Sequence, residues 1–134
     1  MLLDTSFLID LLQGVPDAKA LAEEFDRSGD PLNLPAPSMF ELWIGAATVL
    51  RSDEERGRLE SLALAYDIAP FGADDARQAG TLQAALSKEG RVLGTVDIQL
   101  AGMCLARGEM LVTGDRKLAT LGHGLRTRLY SRRP

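Results

Sequence analysis

Short apolar runs recur along the chain at residues 1–3, 32–36, 66–71 and 110–113, with 125–130 as a fifth candidate. The stretches between the first four leave room for helices of ten or more residues. Strands so widely separated pair in parallel through right-handed crossovers rather than as tight hairpins. The spacing therefore predicts an α/β fold, a three-layer sandwich with a mostly parallel central sheet of four to five strands. A first helix is expected after Asp4, running to about Gln13 and closed by Gly14. A second starts at Pro16, with Ala18, Leu21, Ala22 and Phe25 on one face, and ends at Gly29. Ser38 and Glu41 have capping-box spacing for a third, and Ser52 and Glu55 repeat it for a fourth that ends near Ala65. Two more run from Asp74 to Lys88 and from Thr95 or Val96 to Arg107. Pro35 places its strand at a sheet edge, or marks that strand's end.

Composition narrows the class. The 134 residues fit one domain spanning 1–134, and 46% hydrophobic with 25% charged residues excludes a disordered chain. A single cysteine excludes a disulfide framework and Cys-rich zinc modules. The longest apolar stretch, 42–50, is far short of the ~20 residues of a membrane-spanning helix. Asp4 and Asp10 stand where a secretory leader would need basic and then apolar residues, so a soluble cytoplasmic protein is expected. Charge is distributed unevenly. Arg116, Lys117, Arg126, Arg128, Arg132 and Arg133 follow the last acid, while residues 1–115 hold nine bases against nineteen acids. A basic end on an acidic body points to a polyanion or an acidic partner, or simply to a solvated tail.

Ligands of open parallel sheets bind beyond the carboxyl ends of the strands. Four acids are expected at that edge: Asp4 after the first strand, Glu41 in the first turn of the helix after the second, Asp97 in the first turn of the helix before the fourth, and Asp115 two residues after the fourth. Each alone has a plain structural explanation as a cap, a capping-box partner, a dipole-favoured acid or a turn residue. Together they are a different matter. Two unit charges ~4 Å apart repel by about 4 kcal/mol at an effective dielectric near 20. Such a cluster persists when members are protonated or when a cation neutralises them. An all-oxygen set without His or Cys selects Mg²⁺ or Mn²⁺ over zinc. Glu23, Glu24, Asp53, Glu54, Glu55, Asp74 and Asp75 are expected to be solvated.

Four stretches carry a resemblance: LLDTSFLID at 2–10, ELWIGA at 41–46, GTVDIQLA at 94–101 and LVTGD at 111–115. In order and spacing over essentially the whole chain, the sequence resembles the PIN-domain ribonucleases, and within them the VapC toxins of type II VapBC toxin–antitoxin modules. The resemblance implies a Mg²⁺- or Mn²⁺-dependent endoribonuclease, homodimeric and held inactive by a cognate VapB-like antitoxin. Asp4, Glu41, Asp97 and Asp115 match the family's metal-binding acids. Thr5 or Ser6 and Thr113 match hydroxyls that hydrogen-bond those acids. Arg116 and Lys117, beside the last acid, are placed to contact phosphates that flank the cleaved bond. Two departures stand out: Lys117-Leu118 where the family often has Asp-Phe, and polar Gln99 where apolar residues are usual.

Other residues draw less weight. His123 has no Ser or Cys partner motif, and Cys104 reads as a small core residue. Trp43, with Phe40 and Ile44, is expected in the core or on a dimer face. Only 5% of residues are aromatic, which disfavours a single-strand binder built on stacking. No phosphate-cradling or dinucleotide glycine motif occurs. The rival readings are a non-catalytic PIN-like module that binds RNA or protein, and a phosphoacceptor domain. The phosphoacceptor needs a Lys after a late strand, which the fifth-strand region does not offer.

Overall fold

The computed structural model describes residues 1–131, so Arg132 and Arg133 of the basic end lie outside the described residues. In chain order the elements are β1 (Leu2–Leu3), α1 (Thr5–Leu12), α2 (Pro16–Ser28), β2 (Asn33–Pro35), α3 (Ala36–Thr48) and α4 (Ser52–Ala65). There follow β3 (Asp67–Ala69), α5 (Ala73–Lys88), α6 (Thr95–Arg107), β4 (Leu111–Thr113), α7 (Arg116–Ala119) and β5 (Thr127–Leu129). The five strands form one sheet in the order β3-β2-β1-β4-β5, and every neighbouring pair is parallel. Helices flank the sheet, as the strand spacing predicts.

Alternation of side chains along each strand divides the core. Leu2 and Leu111 pack with Leu100, Met103 and Leu118, whereas Leu3 and Val112 pack with Phe7, Leu8 and Phe25. Successive strand residues point to opposite faces, so both faces of this sheet are covered and its strands read as unbroken apolar runs. The order also fixes where a ligand can enter. From β1 the chain steps outward through β2 to β3, then returns to lay β4 on the other side of β1. This reversal opens a crevice at the carboxyl ends of β1 and β4.

Several local expectations are corrected. Of the two readings of Pro35, the strand end holds and the sheet edge does not: it is the last residue of an internal strand. The following helix begins at Ala36, two residues earlier than expected, with Pro37 inside a first turn that needs no donor from it. Ser38 is therefore not a cap: it is buried and its hydroxyl donates to the Leu3 carbonyl at 3.3 Å. Likewise α4 is entered from Arg51 with no side-chain cap. Asp75, expected to be solvated, is buried; it accepts the Gly72 N–H at 2.7 Å and pairs with Arg107 at 3.0 Å. Glu24, Glu54, Glu55 and Asp74 are at the surface as expected, each in an ion pair there, Glu24 with Arg128 at 3.0 Å. Trp43, Phe40 and Ile44 are not core residues, with 37%, 61% and 50% of their surface exposed. The short α7 was not foreseen; its four residues are too few to show a period.

The closest helix contact is between α5 and α6. A Cβ placed on Gly102 of α6 would lie 2.6 Å from both the Cβ and the backbone nitrogen of Ala79 in α5. Backbone cannot step aside as a flexible side chain can. Gly102→Ala should therefore destabilise the protein by about 1–3 kcal/mol, despite the ~1 kcal/mol that alanine normally gains in a helix. Urea unfolding monitored by circular dichroism reads the difference; a more stable variant would contradict the packing.

Candidate functional site

Asp4 occupies the point where β1 hands over to α1. Its N–H is bonded to the Val112 carbonyl at 2.9 Å, which seats it beside the end of β4. Although it stands at the N-cap of α1, its side chain makes no capping bond. Instead Asp4 Oδ2 accepts the Thr113 hydroxyl at 2.5 Å and the Ser6 hydroxyl at 2.9 Å. Thr113 is fully buried, and its Oγ also accepts the Asp115 N–H at 3.0 Å. One hydroxyl thus ties the ends of two strands to two of the acids. Thr5 points elsewhere and donates to Glu41 Oε1 at 2.6 Å. The hydroxyl pairing anticipated for Thr5, Ser6 and Thr113 is present at all three.

Glu41 lies a full turn into α3, deeper than expected, because that helix begins early. Asp97 is in the first turn of α6, entered from Gly94. Asp115 caps α7, its Oδ1 accepting the Lys117 N–H at 2.8 Å, a role other than the turn residue expected. All four acids nonetheless line one open cleft of about 580 Å³, with Thr5, Ser6, Gly114 and Arg116 between them. They come from four separate segments of the chain and meet at the crevice between β1 and β4.

The electrostatics follow from that meeting. Burial, above all, raises the Asp4 carboxyl above its ordinary range; the hydroxyls of Thr113 and Ser6 pull it back, and the Asp115 charge pushes it up again. Asp97 is pushed up to about 6, first by burial and then by the charges of Asp4, Asp115 and Glu41, with Lys117 acting in the opposite direction. Nearby like charge and desolvation both favour the protonated acid.

The PIN domain pattern matches residues 1–124. The chain belongs to the PIN-domain family. It is 31% identical over 121 residues to the VapC ribonuclease Y4jK of Sinorhizobium fredii, covering 86% of each chain. It is 25% identical over 130 residues to a tRNA(fMet)-specific endonuclease VapC of Shigella flexneri, covering 97% of each. Among solved structures, VapBC2 of Rickettsia felis bound to a DNA fragment from its promoter superposes with a TM-score of 0.87 at 20% identity over 96% of both chains, a likeness of fold.

In this PIN domain the basic residues separate. Arg116 borders the acid cleft, while Lys117 lines a neighbouring groove. Arg126 donates to the Gly108 carbonyl at 2.5 Å, and Arg128 is paired with Glu24. His123 is held by Glu89 at 2.9 Å, away from the acids, and the Cys104 thiol is buried and pushed up to about 12. One buried polar contact escaped the sequence reading: Asp10 accepts the Tyr130 hydroxyl at 2.6 Å. No local pattern announces a contact between residues 120 positions apart.

The donor set fits a hard dication. It is all oxygen, and its members lie near enough for the charges of Asp4, Asp115 and Glu41 to raise Asp97. Among the described residues, no three His, Cys, Asp or Glu side chains already converge closely enough to hold an ion on their own. The acids frame the cleft, so water would complete the shell, as Mg²⁺ commonly requires.

A consequence can be measured without metal. Because the folded Asp97 binds its proton more tightly than the unfolded chain does, its contribution to stability is lost as pH rises from about 4 through about 6. In chelator, Asp97→Asn should be more stable than the parent protein at pH 7.5, and that advantage should shrink towards pH 4. Thermal unfolding at the two pH values checks it; a variant less stable at pH 7.5 would contradict the assigned repulsion.

Proposed function

We propose that residues 1–134 act as one PIN-like domain that is a Mg²⁺- or Mn²⁺-dependent endoribonuclease, the toxin of a VapBC-type pair working in the cytoplasm. The observation that carries this reading is the convergence of Asp4, Glu41, Asp97 and Asp115 on one cleft at the reversal point of a parallel sheet. The VapC relatives support the ribonuclease activity and a VapB-like antitoxin as partner. The exposed apolar face of α3, with Phe40, Trp43 and Ile44, supports a homodimer. No helix among the described residues is long and apolar enough to cross a membrane.

Asp4 and Asp97 would hold the ion, with Glu41 and Asp115 binding it directly or through water. A dication held there would supply the positive charge that makes the acid cluster tolerable and would polarise the phosphodiester. The rest falls to the chain. Thr113 and Ser6 fix Asp4 in one orientation, and Thr5 does the same for Glu41. Arg116, on the rim, draws the anionic strand towards a cleft whose own charge would repel it. The raised Asp97 carboxyl must ionise to hold the ion, so binding there would release its proton and would be favoured above about pH 6.

Purified protein incubated with RNA should cleave it in Mn²⁺ and not in chelator. Asp4→Asn and Asp97→Asn should each lower the rate by roughly 10²-fold or more while leaving the circular dichroism spectrum unchanged. Thr113→Val, which keeps the shape and removes the hydroxyl, should cost about 10–100-fold. Full cleavage by either Asn variant would refute the assignment.

A further inference from the structure

Beside the acid cleft, between the 91–93 segment and α7, runs a second groove of about 250 Å³ lined by Arg91, Val92, Leu93, Lys117, Thr120 and Leu121. Consecutive residues line the two cavities, Arg116 the acid cleft and Lys117 the groove, and the Lys117 charge still reaches Asp97. The Asp115 carboxylate anchors this turn of backbone by accepting the Lys117 N–H at 2.8 Å. Among the described residues, neither Arg116 nor Lys117 takes part in a salt bridge, whereas Arg91 is occupied by Glu89 and the Leu121 carbonyl. Lys117 is therefore the available cation of the groove. Val92 is 76% exposed, and no aromatic ring lines the groove.

We propose that this groove holds the nucleotide next to the scissile phosphate on one side, with Lys117 on its phosphate and Val92 and Leu93 against its sugar and base. This inference rests on the ribonuclease reading and adds a path for the strand. The unpaired Lys117, next in the chain to Arg116 of the acid cleft and near enough for its charge to act on Asp97, favours a stretch of the same RNA over a protein segment as occupant. The Thr120 hydroxyl donates to the Arg116 carbonyl at 2.8 Å, which leaves its oxygen free to accept from a ribose 2′-hydroxyl. Without a ring to stack on, the subsite reads backbone and shape, and discriminates weakly among bases.

The test is binding of a fluorescein-labelled, mixed-sequence single-stranded RNA 12-mer to the full chain in Ca²⁺, followed by anisotropy across a salt series. Lys117→Ala should weaken binding and reduce the slope of log K against log salt by about 0.7, the loss of one phosphate contact on a single strand. Val92→Glu, at an exposed position, should weaken binding without altering the melting temperature. Lys19→Ala, an exposed cation on α2, should leave both quantities unchanged. If Lys117→Ala and Val92→Glu bind like the parent while Arg116→Ala does not, the strand avoids this groove; the subsite is overturned and the ribonuclease reading stands. If the parent protein neither binds this RNA nor cleaves RNA in Mn²⁺, the ribonuclease reading fails, and the subsite with it.

Discussion

A carboxylate is buried at the end of the central strand, and the rest of the site is arranged around it. Asp4 is only 4% exposed, and its Oδ2 is held by two hydroxyls. Burying a charge in this way is unfavourable unless hydrogen bonds or an opposite charge compensate. The hydroxyls of Thr113 and Ser6 compensate in part, since the carboxyl remains above its ordinary range. What they leave uncompensated is a demand for a proton or a cation. Three further acids on the same cleft increase that demand, and Asp97 registers it most strongly.

Topology makes the arrangement possible. With β1 between β2 and β4, the residues that end β1 and β4 become neighbours although they are more than a hundred positions apart. The Thr113–Asp4 bond spans 109 residues and links the two strand ends directly. Stability comes from elsewhere in the molecule. Close contact of Gly102 with Ala79 and the buried Asp75–Arg107 pair lock α5 to α6, which positions the first turn carrying Asp97. A frame of this kind can tolerate a site whose own charges oppose folding, a common division between scaffold and active centre.

Much of this was legible in the sequence because strands and acids lie next to each other in the chain. Asp4 and Asp115 follow apolar runs directly, and Asp97 opens an obvious helix, so strand order alone brings them to one edge. Glu41 was found for an incomplete reason. Its spacing from Ser38 suggested a cap, but Pro37 allows the helix to start earlier, and Ser38 turns inward to Leu3 instead. Asp74 and Asp75 look alike in the sequence. Only the packing of α6 decides that Asp75 meets Arg107, 32 residues away, while Asp74 stays on the surface with Arg77. Within the basic end, Arg128 pairs with Glu24 across the fold, and Arg116 and Lys117 line separate cavities. Long-range pairing leaves no local signature, whereas capping and strand ends do.

Thermal unfolding in increasing Mn²⁺ tests most directly the claim that these acids are gathered to hold a dication. Binding to the folded chain alone should raise the melting temperature continuously, with about 2.7 kcal/mol gained at a hundred times the dissociation constant. The rise should be largely lost in Asp4→Asn. A melting temperature indifferent to Mn²⁺, or one that rises equally in that variant, would contradict the account.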